Sequence, residues 1–148
     1  MNRTALLGTV AVFALVVPAA IGAPPAGKGK PPATGPGCKP QVALIAKGDA
    51  KADATTTQVQ VKVTGGNSFA GPLFANNTTT DVTVTVASST KITSGGAPAA
   101  LTSIKSGERL LVQYKVCKAD LKGKNASALA TFLASQTPKK VVDQGTPS

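Results

Sequence analysis

Histidine and tryptophan are absent from this chain, and four phenylalanines and one tyrosine are its only aromatics. Without histidine the commonest general base and zinc ligand near neutral pH is missing. Ser-His-Asp and Cys-His catalysis are thereby excluded. Acids are also few: Asp49, Asp53, Asp81, Glu108, Asp120 and Asp143 stand against 16 basic residues, for a net charge of +10. Asp49-Ala50-Lys51-Ala52-Asp53 offers two carboxylates with a lysine between them, whereas calcium needs roughly six to eight oxygen ligands. The stretch reads as a polar hairpin turn. Ser88-Ser89-Thr90-Lys91 matches S-x-x-K, but that motif needs a helix start and a companion K-T-G, and here it joins two expected strands. No glycine-rich phosphate loop occurs in a strand–helix setting. Neither an enzyme nor a metal or cofactor site is expected.

What is present begins with an export pattern. Met1-Asn2-Arg3 precedes an apolar run over residues 5–17, followed by Pro18 and the small residues Ala19, Ala20, Gly22 and Ala23. One early positive charge, a short apolar stretch and a small-residue exit describe a secretory signal peptide over residues 1–23. Val17-Pro18-Ala19 and Ala20-Ile21-Gly22 compete as cleavage sites, and cutting after Ala23 would leave Pro24 at the scissile bond. An uncleaved anchor is the alternative, since Ala5 to Ala23 is 19 residues, near the ~20 that span a bilayer. Pro18 interrupts it. The expectation is a secreted or envelope-associated protein with no membrane span after cleavage.

Residues 23–40 hold six prolines and four glycines, with Lys28, Lys30 and Lys39 among them. Such a composition cannot bury a core and favours an extended tether, so residues 24–40 are expected to be a disordered linker. It serves either as a spacer or as a basic arm that touches anionic surfaces. Cys38 and Cys117 are the only cysteines. An even pair in an exported chain reads as one disulfide, here tying the start of the first strand to the far end of a late one.

From Val42 the hydrophobic pattern takes period two, as half-buried strands do. Val42-Ala43-Leu44-Ile45-Ala46 is a short apolar run ending at Lys47-Gly48-Asp49. Val59, Val61 and Val63 alternate with Gln58, Gln60 and Lys62, and Gly65-Gly66-Asn67 supplies residues that stop a strand. Val82-Thr83-Val84-Thr85-Val86 repeats the alternation, and Thr90-Lys91-Ile92 reads as a brief continuation after Ser88-Ser89. Leu101 and Ile104 share one side of a single helical or 3₁₀ turn that ends at Ser106-Gly107, with Glu108 placed to accept backbone N–H groups. Leu110, Val112, Tyr114 and Val116 point inward along the longest strand, residues 109–118. Residues 128–134 suit a short helix almost as well as a strand; a strand is favoured because an unpaired edge needs a partner.

The runs Val82-Thr83-Val84-Thr85-Val86, Thr90-Lys91-Ile92, Leu101-Thr102-Ser103-Ile104-Lys105-Ser106-Gly107-Glu108 and Ala128-Leu129-Ala130 resemble those of an exported bacterial OB-like β-barrel domain of unknown function. The resemblance covers residues 42–142, with Cys38 and Cys117 outside the core pattern. It implies a fold and an exported location and transfers no catalytic or binding residue. The expected architecture is all-β: a small OB-like barrel of five to seven strands with one short helical turn over residues 41–142, then a frayed tail over 143–148. A chain of this length makes one domain, expected to be monomeric.

Basicity is the remaining functional signal. Lys115, Lys118, Lys122 and Lys124 cluster around the end of the longest strand, and Lys139-Lys140 lies near the C terminus. OB-like barrels that hold single-stranded nucleic acid stack bases on aromatics above a basic groove, and aromatics are scarce here. Lysine without arginine forks gives nonspecific, salt-sensitive attraction. Sequence-specific nucleic-acid recognition is therefore not expected. The cluster is either a solvated surface or a contact for anionic envelope polymers, lipid or extracellular nucleic acid. The role expected is a non-catalytic structural or interaction module.

Overall fold

A computed structural model describes residues 38–147; the expected signal peptide, and the linker as far as residue 37, lie outside the described residues. Seven strands form one sheet: β1 (Gln41–Ala50), β2 (Gln58–Gly66), β3 (Thr80–Thr85), β4 (Lys91–Ser94), β5 (Ala97–Pro98), β6 (Arg109–Cys117) and β7 (Lys140–Asp143), in the order β3-β2-β1-β6-β7-β4-β5. Neighbouring strands are antiparallel except β4 and β7, which run parallel. Among the described residues two helices, α1 (Lys118–Leu121) and α2 (Ala126–Ala134), and short 3₁₀ turns make up the other regular elements.

The all-β expectation holds at this level, but barrel closure is not seen. Among the described residues β3 and β5 end the sheet without pairing to each other. β5 is two residues long, and α2 rather than a further strand packs against β3. The strand expected over residues 128–134 is thus a helix. Asn125 caps it, its side chain accepting from the Ala128 N–H at 2.9 Å, which satisfies one of the helix's open donors. Leu129 and Leu133, four residues apart, then bury one stripe against the sheet.

The period-two reading locates the core. Leu44 on β1, Val59, Val61 and Val63 on β2, Val82 and Val84 on β3, and Leu110, Val112, Tyr114 and Val116 on β6 form one buried cluster with Leu129, Leu133 and Val141. Leu101 and Ile104 join it from the 3₁₀ turn Leu101–Ser103. At the end of that turn Glu108 accepts the Lys105 N–H at 2.7 Å, as its position predicted, and Gly107 adopts a φ of 85°.

Three boundaries differ from expectation. β1 runs on through Lys47-Gly48-Asp49 because a bulge between Lys47 and Gly48 keeps it paired with β2. The last three residues of the expected linker belong to the domain: Cys38 is buried and the Pro40 carbonyl accepts the Lys118 N–H at 3.1 Å. The tail is held further than expected. Asp143 is buried in β7, Gln144 donates to the Arg109 carbonyl, and Arg109 donates to the Gly145 carbonyl, both at 2.8 Å.

Cys38 and Cys117 form the expected disulfide, Cα atoms 6.0 Å apart, where Gln41 of β1 sits opposite Cys117 of β6. It staples the two central strands at the end where β6 leaves the sheet.

Candidate anion-binding surface

Strand register decides which lysines share a face, because side chains two apart along a strand point the same way. On β6 the inward set leaves Arg109, Leu111, Gln113 and Lys115 on the outer face. Lys115 lies opposite Ala43 and Leu111 opposite Lys47 on β1. Gln113 lies opposite Lys140 on β7, and Lys140 opposite Lys91 on β4. Four lysines, Lys47, Lys91, Lys115 and Lys140, therefore stand on one outer face around Gln113. Adjacent strands are about 4.8 Å apart, so one extended polymer can meet several of these ammonium groups.

Acids on that face are confined to one end and are engaged there. Asp49 lies opposite Lys62 and 4.0 Å from the Arg109 guanidinium; Asp81 lies opposite Lys62 on its other side and 2.6 Å from Lys51. Asp53 sits in the β1–β2 loop. The Ser106 N–H and then the Lys105 ammonium hold its carboxyl below the usual range. Asp143 is buried, accepting from Ser94 Oγ at 2.6 Å and the Gly145 N–H at 2.8 Å. Among the described residues Lys47, Lys91, Lys115 and Lys140 have no ion-pair partner. Nor does any group of three or more histidine, cysteine or acidic side chains there sit where it would hold a metal.

The six lysines singled out from sequence thus divide. Lys115 and Lys140 belong to the sheet face, and Lys139 flanks it at the start of β7, its N–H on the Gln113 carbonyl at 2.8 Å. Lys118 and Lys122 lie at the disulfide end, on and just after α1. Lys124 is turned inward, its ammonium 5.0 Å from the centre of the Phe132 ring, a cation–π contact within the domain. Lys47 and Lys91 were missed. The outward position of Lys47 is implied by inward Leu44 and Ala46, but its neighbours follow only from the long-range register of β1 on β6.

No aromatic side chain among the described residues stands on this face: Tyr114 is buried, and Phe69, Phe74 and Phe132 pack against the core. The surface offers point charges without stacking platforms. Ser88-Ser89-Thr90-Lys91 lies in the β3–β4 connection with Thr90 buried and its Oγ1 on the Pro138 carbonyl at 2.9 Å, a structural setting with no helix start. No helix among the described residues is long and apolar enough to cross a membrane. Compared with protein-family models, curated proteins and solved structures, the chain matches none.

Proposed function

We propose that this protein is an exported, non-catalytic binding module whose lysine-bearing sheet face contacts anionic envelope polymers with repeating phosphate or carboxylate groups. The observation that carries the reading is the gathering of Lys47, Lys91, Lys115 and Lys140 on one outer face, with the acids of that face paired off at one end. Export is supported by the leader pattern of residues 1–23 and by a disulfide of the kind that persists outside the cytosol. The resemblance to an exported OB-like domain of unknown function points the same way. Lysine ammoniums recognise charge rather than planar geometry, so affinity tracks the polymer's charge density and falls steeply with salt.

The test measures binding to polyphosphate and to a glycerol-phosphate polymer across a salt series. The variant Lys47→Gln/Lys91→Gln/Lys115→Gln/Lys140→Gln is expected to lose about tenfold or more at low salt and to show a shallower salt dependence. Lys51→Gln/Lys105→Gln, which removes lysines already paired with Asp81 and Asp53, is the control with less charge removed. Equal weakening per charge in both variants would show that net charge alone attracts the polymer and would overturn the assignment of this face.

A further inference from the structure

Beside the disulfide lies an open groove of about 430 Å³, lined by Pro40, Phe69, Ala119 and Leu121 together with Lys118 and Lys122. Its walls come from three separate segments: the stretch before β1, the 3₁₀ turn Ser68–Leu73 and α1 with the residue after it. Phe69 and Leu121 are half-buried against the core, leaving part of each apolar side chain open to the groove. The size falls within the range of small-molecule sites, about 300–1,000 Å³.

We infer that this groove binds a single-chain anionic amphiphile, a long-chain fatty-acid anion, with its alkyl chain on Phe69 and Leu121 and its carboxylate between the Lys118 and Lys122 ammoniums. Charge complementarity selects the occupant. The only charged lining residues are the two lysines, both exposed and neither ion-paired among the described residues. Asp120 lies on the same short helix but does not line the groove. The Pro/Gly segment before Cys38 carries Lys28 and Lys30 and no acid, so it offers no carboxylate to pair with the two lysines. A second copy pressing its own groove here would set lysine against lysine. This site is independent of the sheet-face lysines.

The disulfide holds the walls together. Cys38 stands two residues before Pro40, Cys117 stands directly before Lys118, and the Lys118 N–H donates to the Pro40 carbonyl at 3.1 Å. Oxidation therefore preorganises the groove, and reduction frees one wall from the other.

The experiment titrates the full chain with sodium dodecanoate below its critical micelle concentration and follows binding by calorimetry and by amide NMR shifts. Saturable one-to-one binding is expected, with shifts centred on residues 118–122, affinity rising about two- to fourfold per methylene from octanoate to dodecanoate, and loss on reduction. Dodecyltrimethylammonium, with the same chain and the opposite charge, should bind at least about tenfold more weakly. Lys118→Gln/Lys122→Gln should lose about tenfold; it alters exposed side chains only, so a folding defect does not confuse it, and Leu121→Gln tests the apolar wall. The sheet-face variant should bind dodecanoate like the parent chain. Equal affinity for the two amphiphiles, an unchanged Lys118→Gln/Lys122→Gln variant, equal loss in the sheet-face variant, binding to anionic vesicles but not to monomeric dodecanoate, or dimerisation abolished by Leu121→Gln would each overturn the proposal.

Discussion

Asn67 reaches across to β1 and donates its Nδ2 to the Ala43 carbonyl at 2.7 Å while its Oδ1 accepts the Ile45 N–H at 3.2 Å. Its backbone N–H also donates to the Ile45 carbonyl, at 3.0 Å. β2 has ended at Gly66, so this one side chain takes over the ladder that the departing strand no longer supplies. Asn67→Ala removes both side-chain bonds and leaves a partly buried N–H unpaired, and is expected to cost about 2 kcal/mol. Urea unfolding checks it: the midpoint should fall with an unchanged slope. Asn67→Asp should not restore stability, because it sets a carboxylate against the Ala43 carbonyl.

Gly48 sits opposite Val63 where the β1–β2 register shifts, the extra residue being Thr64 of β2. A Cβ there would collide with the Lys62 carbonyl and crowd the Val63 Cα at 2.9 Å. Both are backbone atoms and neither can turn aside. Gly48→Ala should therefore destabilise by about 3 kcal/mol through overpacking. Gly65, with open space at its Cβ, is the matched control, and Gly65→Ala should change stability by less than about 1 kcal/mol.

What was readable in the sequence was whatever repeats locally. Val59, Val61 and Val63, and Leu110 through Val116, declare their inward face by period two, and the inward turn of Leu101 and Ile104 by their spacing of three. Residues 128–134 were misread because Ala-Leu-Ala-Thr-Phe-Leu-Ala satisfies either period. The deciding signal stood just before them, in Asn125 as a helix cap. β7 was missed because Lys140-Val141-Val142-Asp143 has too few alternations to stand out, and it is a strand only through pairing with β6 and β4. The same holds for the site. A cluster read along the chain groups Lys115 with Lys118 and Lys122, whereas the sheet register groups Lys115 with Lys47, Lys91 and Lys140, which lie far from it in sequence.

The disulfide closes a loop with a sequence separation of 79, for which the chain-entropy relation gives about 4.5 kcal/mol. Cys38→Ala/Cys117→Ala should lose a comparable amount, about 2–5 kcal/mol, measured by urea unfolding of the oxidised parent and the variant under identical conditions. Because both sulfurs lie outside the Val-lined core, the variant should keep the sheet's far-UV circular-dichroism spectrum at low denaturant. A variant as stable as the parent would mean that the unfolded chain already holds these ends together.

Tyr114, the single tyrosine, lies opposite Leu44 in the core, 1% exposed, and its hydroxyl has no hydrogen-bond partner among the described residues. Burial among aliphatic side chains raises its pKa well above the ordinary 10.0, because the phenolate would be desolvated there. The raised value sets the sign of the pH dependence. Below pH 10 the neutral phenol is favoured in both states and folding is unaffected; above it the unfolded chain ionises while the folded one stays neutral. Stability should then fall by about 1.4 kcal/mol per pH unit from this group alone. Lysines titrate in the same range, so the informative quantity is the difference between the parent and Tyr114→Phe. At pH 7 the phenylalanine variant should be as stable or up to about 1 kcal/mol more stable, since it deletes an unpaired buried hydroxyl. Between pH 10 and 11.5 its advantage should widen, and the parent's phenolate absorbance should appear only as the chain unfolds. A tyrosine that ionises near pH 10 with the sheet intact would show that water reaches the hydroxyl.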